Sequence, residues 1–300
     1  MKKTILIASG LLFTAVHVQA QDSIALMKSK LKITNAYLFP GMAFQHDPIG
    51  TLDDFQKLAP KSSLLNQSFA GYTHSPSASF SGDVFLSAAI GITSFNTKKN
   101  TYNTSPEIRL GFVYYSQNGM SSDYYRMDRK RCDTLTSSAT GQSYYYDSVT
   151  YKNYNMNYTT EQLRLDASVI YRTNPEARWS IFGGIGIELG GGINSVTSIS
   201  YNETTTFESA SSTSSAQNPY NSTDVGIHIN EQYTNKMGWG GAVYIPFGID
   251  FRVGKKKEFF KRMHLFAEFR PGINYSPIVE SGTNFVSAQI KSGWGLRVNF

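Results

Sequence analysis

Residues 288–300 read A-Q-I-K-S-G-W-G-L-R-V-N-F, from Ala288 to Phe300. Ala288, Ile290, Trp294, Leu296, Val298 and Phe300 fall on one side of an extended chain. Gln289, Lys291, Arg297 and Asn299 fall on the other. A period of two defines a strand with one apolar and one charged face.

Seven further segments alternate in the same way, the first of them imperfectly. They are Lys32 to Gln45, Phe80 to Ile92, Glu107 to Tyr114, Gln162 to Arg172, Trp179 to Leu189, Val243 to Arg252 and His264 to Ile273. Pro40-Gly41 predicts a bulge or an edge-like irregularity in its strand and Pro246 a bulge, since proline removes a ladder donor. The connections near 96–104, 173–178 and 253–262 are short. Those at 47–78, 117–160 and 193–235 are long, and 276–286 is of modest length; part of 117–160 is expected to continue the strands beyond the membrane as a hairpin. In 47–78, Thr51-Leu52-Asp53-Asp54 resembles a capping box, and Phe55, Leu58 and Leu65 line one face of a short helix. This stretch is expected to fold over the mouth of the assembly.

Eight strands of about ten alternating residues match what a tilted strand needs to cross a bilayer. The expected fold is all-β, an eight-stranded antiparallel up-and-down transmembrane β-barrel with long external loops. Short turns would face the periplasm and long loops the exterior. Charge supports closure. Asp83, Glu107, Asp166, Glu188, Asp250 and Glu268, with Arg109, Arg164, Arg172, Arg252, His264, Arg270, Lys291 and Arg297, fall on the sides opposite the apolar faces. A charge facing hydrocarbon at the midplane costs about 2–4 kcal/mol. An eight-stranded interior is just wide enough to be filled by side chains. The inward set therefore reads as a structural polar network. The inward glycines Gly111, Gly184, Gly186, Gly248, Gly293 and Gly295 are expected to make room for its long arginines.

The first residues agree with export. Met1-Lys2-Lys3 is basic, Ile5 to Val16 is mostly apolar, and Val18-Gln19-Ala20 is a small-residue cleavage site. The expected division is a signal peptide over 1–20 and a barrel domain over 21–300. Removing the two lysines of the leader leaves 26 Lys+Arg against 22 Asp+Glu, a net of +4. That balance is too mild and too evenly spread to argue for nucleic acid. The single cysteine, Cys132, cannot close an internal disulfide and reads as an incidental loop residue. The 19 Tyr and 19 Phe suit aromatic belts at two water–lipid interfaces.

The terminal strand ending on Phe300, with Trp294, Leu296 and Val298 alternating before it, resembles the C-terminal assembly signal of outer-membrane β-barrels. The whole expected build resembles the small barrels typified by the OmpA membrane domain and OmpX. Tyr244-Ile245-Pro246-Phe247-Gly248 and Phe269-Arg270-Pro271-Gly272 also resemble PorT-type barrels. The resemblance implies location in the outer membrane, contact with its lipid, and reading of the last strand by the barrel-assembly machinery.

Little points to chemistry. A barrel-embedded deacylase needs a His that activates a Ser, oriented by an acid. His264 precedes Leu265-Phe266, with no Ser two positions on, and it points inward with Glu268 and Arg270 as expected neighbours. His46, His74 and His228 show no metal-ligand spacing. Gly183-Gly184-Ile185-Gly186 lacks the helix of a phosphate loop. No catalytic, metal or cofactor site is expected. The basic run Arg126 to Arg131, among Tyr124, Tyr125, Tyr144, Tyr145 and Tyr146, offers a surface for lipopolysaccharide or an envelope protein. The function read from the sequence is a non-enzymatic outer-membrane barrel acting through its external loops, in envelope integrity, adhesion or a surface or secretion complex. The alternatives are a narrow channel and, behind it, a lipid-modifying barrel enzyme.

Overall fold

The computed structural model describes residues 31–46, 48–75, 80–94, 106–136, 138–139, 141, 143–174, 177–209, 224–254 and 256–300. The leader, 1–20, lies outside the described residues, as does the whole turn near 96–104.

The strands are β1 (Leu31–His46), β2 (Thr73–Ser75), β3 (Phe80–Ser94), β4 (Glu107–Thr136), β5 (Ser143–Arg172), β6 (Trp179–Ser209), β7 (Asp224–Thr234), β8 (Trp239–Tyr244), β9 (Phe247–Arg252), β10 (Met263–Ile278) and β11 (Thr283–Asn299). Two short helices, α1 (Leu52–Leu58) and α2 (Glu258–Arg262), sit in connections. Pairing runs β1–β3–β4–β5–β6, then through β8 and β9 to β10 and β11, and β11 returns to β1. All pairs are antiparallel. With β8 and β9 sharing one lane, the ring has eight strands. Phe300 N–H donates to the Thr34 carbonyl at 2.9 Å at the end of the seam.

The register fixes the tilt. A cross-strand row starting at Asn35 passes Gly91, Arg109, Ser168, Gly186, Tyr244, Gly272 and Gln289 and re-enters β1 at Gln45, ten residues further along. A shear of ten over eight strands, at the usual rise and strand spacing, tilts the strands by about 40°.

Neither proline bulge forms. Pro40 pairs with Leu86 in unbroken register, and the irregularity in β1 lies between Ile33 and Asn35. Tyr244 and Phe247 keep the same register against both neighbours. Gly184 N–H still donates to the Pro246 carbonyl, and Ile245 N–H to that of Pro271, both at 2.9 Å. Only the proline's own missing donor interrupts the lane. The segment 276–286 also differs from expectation. β10 and β11 run through it to a four-residue turn, 279–282, where Gly282 takes a φ of 71°.

The alternation sorts burial as barrel geometry requires. Ile181, Ile185, Leu189, Val243, Ile249, Leu265, Ile273 and Trp294 are exposed on the outside, while Phe39, Phe85, Val113, Phe182 and Phe266 are buried inside. The inward glycines serve rings and backbone more than arginines. A Cβ on Gly186 would lie 2.3 Å from the Tyr244 ring, and one on Gly295 2.3 Å from Phe266. Wide rings cross the lumen against bare backbone on the next strand. Gly186→Val should displace Tyr244 from its hydrogen bond to Asp166 and cost about 1–3 kcal/mol, as overpacking does. Urea unfolding of the bilayer-inserted protein measures this, and an unchanged midpoint would refute it.

Candidate functional site: a filled lumen, a capped mouth and a projecting blade

Inward positions of different strands meet across the lumen because shear brings distant residues to one level. Arg109 donates to both Glu268 oxygens at 2.7 Å, and Arg270 donates to Glu268 at 2.6 Å. Arg270 also reaches Asp166 at 3.2 Å, and Tyr244 Oη donates to that carboxylate. Lys291 lies 2.5 Å from Glu188, with Arg164 at 3.8 Å.

A second cluster lies toward the short-turn end. Asp250 accepts from Arg172 at 2.8 Å and pairs with Arg297 at 2.8 Å and His264 at 2.5 Å. Glu107 accepts from Asn35 at 2.9 Å and from Tyr37 Oη. Between the clusters lies an aromatic layer. Phe266 contacts Tyr37, Phe39 and Phe182 with ring centroids at 5.8, 5.5 and 6.2 Å. Arg270 lies over Phe39 at 4.7 Å and Arg172 over Phe182 at 4.9 Å, so each cluster rests a guanidinium on the layer.

The structure thus gathers twelve of the fourteen residues assigned to the inward polar network into these clusters. Asp83 and Arg252 stand apart, half-buried. Asp83 accepts from Asn118 N–H at 3.4 Å near the mouth, and Arg252 pairs with His264 in register near the opposite end. His264 is a correction in its partners. It meets Asp250, Arg297 and Asn299, not Glu268 and Arg270. Glu268 and Arg270 lie higher on its own strand, and its neighbours come across the lumen. Among the described residues, no group of three His, Cys, Asp or Glu is placed to hold a metal.

The mouth is covered by residues 48–75. Thr51 caps α1, accepting from Asp54 N–H while Asp54 accepts from Thr51 N–H. Phe55 and Leu58 on α1, with Leu64 and Leu65 after it, are buried against Met120, Tyr154, Met156, Tyr158 and Ile199 of β4, β5 and β6. Phe69 meets Tyr124 edge to face at 5.4 Å and Tyr154 at a tilt at 4.8 Å. Polar ties hold the cap to the far side. Glu231 of β7 accepts from Ser62 and Ser63 hydroxyls at 2.5 Å, and Asn235 donates to the Leu58 carbonyl at 2.7 Å. Alternating Tyr and Met at 154, 156 and 158 were the sequence sign of this receptacle.

Burial alone would raise the Glu231 pKa, but donors from Ser62, Ser63 and Tyr233 hold it below the usual 4.5. A carboxylate depressed on docking stabilises the docked state above its undocked pKa and loses that contribution as pH falls through the docked one. The cap should therefore become more protease-sensitive as pH drops below about 4.5, and Glu231→Gln should flatten that dependence. An identical pH profile in the variant would sink the assignment.

Beyond the barrel, 193–235, expected as a loop, is strand over most of its described residues, and the hairpin expected in part of 117–160 runs through nearly all of it. β4, β5 and β6 are 30, 30 and 31 residues long and stay paired, and β7 adds a fourth strand along β6. Past Tyr115, where pairing with β3 ends, β4 runs on for roughly 20 residues, about 65 Å along the strand. On the face away from the cap, Tyr125, Met127 and Tyr151 are exposed. Arg129 and Arg131 converge there on Asp147 at 3.8 and 3.4 Å, and Arg131 stacks on Tyr145 at 4.6 Å. Cys132 is exposed and free within β4, not in a loop.

The molecule is an eight-stranded antiparallel up-and-down transmembrane β-barrel with an external strand extension. No protein-family model matches the chain, and no curated protein does. Among solved structures it is similar to Neisserial surface protein A, at 11% identity and a TM-score of 0.32, over 91% of this chain and 100% of that one. It is similar to Ail, the attachment invasion locus protein of Yersinia pestis, solved with the heparin analogue sucrose octasulfate, at 8% and 0.27 over 89% and 99%. A third is the toluene transporter TodX of P. putida, at 10% and 0.20 over 93% and 92%. The closed hydrogen-bonded ring itself defines the architecture.

Proposed function

We propose that this chain is an outer-membrane β-barrel that acts through the blade and cap on its outer side, serving envelope integrity, adhesion or a surface or secretion complex without chemistry of its own. The observation that carries this reading is a four-stranded extension standing on a lumen closed by paired charges and aromatic rings. Short turns then face the periplasm, and the resemblance to OmpA/OmpX and PorT-type barrels belongs to the same reading. In it the polar network is structural, and Trp294, Leu296, Val298 and Phe300 serve as the signal for the assembly machinery. The partner surface is the face carrying Tyr125, Met127, Tyr151, Arg129 and Arg131, whose rings and cations suit lipopolysaccharide phosphates or an envelope protein.

The test trims the blade at cross-strand pairs, Ser121 with Asn157 and Ser198 with Gln232, joining each pair by a short turn. The trimmed barrel should still shift on gels when heated yet lose crosslinked partners and the envelope phenotype. A wild-type phenotype after trimming would overturn the proposal. In planar bilayers the intact protein should be silent, and steady conductance would favour the channel.

A further inference from the structure

We propose that the short-turn margin beneath β6, β9 and β10 is a binding site for an anionic phospholipid of the adjoining leaflet. The register brings two distant turns together there. Trp179 pairs with Phe251, and Arg252 N–H donates to the Arg178 carbonyl at 2.9 Å. This sets Arg178 and Trp179 against Arg252 and the described residues that follow it, Val253, Gly254 and 256–262. The second turn is folded, with Gly254 N–H donating to the Phe260 carbonyl at 3.1 Å and Val253 N–H to that of Met263 at 2.9 Å. A Cβ on Gly254 would lie 2.6 Å from that of Phe260, so the close approach needs glycine.

The margin carries two kinds of group. Lys256, Lys257, Arg262 and Arg178 are exposed and Lys261 half-exposed, against a single described acid, Glu258, which Lys261 neutralises at 2.5 Å. Beside them Phe259, Phe260 and Trp179 expose their rings at 67%, 40% and 62%. Phe259 and Phe260 meet edge to face at 5.4 Å, and Trp179 packs on Phe251 at 4.4 Å with Arg178 over that ring at 5.1 Å. Just beyond lie the exposed outward side chains Ile181, Ile249 and Leu265. Acyl chains along that belt would bring a phosphate headgroup level with the cations, while the phenylalanines enter the interface. A solvated turn would gain nothing from two adjacent exposed phenylalanines among lysines. An interfacial anchor uses both.

The inference rests on membrane insertion, and one experiment separates the two. The chain has three tryptophans. Trp239→Phe with Trp294→Phe leaves Trp179 as the reporter, and the protein is refolded into vesicles of brominated phosphatidylglycerol or brominated phosphatidylcholine mixed with the unbrominated lipid. Quenching should show phosphatidylglycerol preferred at Trp179 by about fivefold, the ratio one unscreened lysine–headgroup contact gives. Lys256→Gln, Lys257→Gln, Lys261→Gln and Arg262→Gln together should return the ratio to one. A protein keeping only Trp239, at the opposite end of the β8–β9 lane, should show no preference. Equal quenching by both lipids at Trp179, a preference that survives the four substitutions, or the same preference at Trp239 would each overturn the site. No quenching by either lipid would instead mean that the barrel had not inserted, and would overturn both readings.

Discussion

Glu268→Leu will destabilise the inserted barrel by about 3–5 kcal/mol, the range for removing one partner of a buried charge pair. Glu268 holds Arg109 in a two-pronged bond and Arg270 in a third. Its loss leaves two buried guanidinium groups with Asp166 and Glu188 as the remaining acids near them. Adding Arg109→Leu should recover much of the loss, because an apolar pair of similar volume often replaces a buried ion pair at little cost. Urea titration in lipid vesicles gives both numbers. The result also bears on function. A lumen threaded by water would solvate the orphaned arginines, and the single substitution would then cost under about 1 kcal/mol. That outcome would favour a channel over a plugged support for the blade.

Phe55→Ala will undock the cap without unfolding the barrel. Phe55 is fully buried among Met120, Tyr154, Met156 and other cap and blade side chains. Truncating such a phenylalanine costs about 3–5 kcal/mol. The cap lies outside the closed ring, so the loss falls on local opening and not on global stability. Cleavage within 48–75 by a dilute protease should rise at least a hundredfold while the heat-induced gel shift stays intact. If cleavage and the unfolding midpoint changed together, cap and barrel would be one cooperative unit.

The barrel was legible because its strands repeat one physical demand, apolar out and polar in, over lengths a bilayer dictates. The last strand alone, Ala288 to Phe300, carries that pattern. The inward face was legible for the same reason, but its pairings were not. Alternation says which way His264 points. Only the ten-residue shear says that Asp250 and Arg297 stand level with it. Of the blade only a hairpin within 117–160 was legible; its full extent was hidden because strands paired outside a membrane need no apolar face, so β5 and β6 read there as Tyr, Ser, Thr and Asn runs. The prolines misled in the opposite sense. Pro40 and Pro246 each lack a donor, yet the ladders on both sides kept the register.

The seam between β1 and β11 joins Asn35 to Asn299, residues 264 positions apart (35 to 299). Hairpins such as β4–β5 can zip from a nearby turn, but this contact must wait for nearly the whole chain. Loop-closure entropy and high contact order make it slow. Until it forms, the molecule is a curled open sheet with two unsatisfied edges, each a template for a neighbour's strand. Closure is therefore the step at which the chain either seals or aggregates. A factor that shields β1 while β11 arrives would act on yield without altering the stability of the finished barrel.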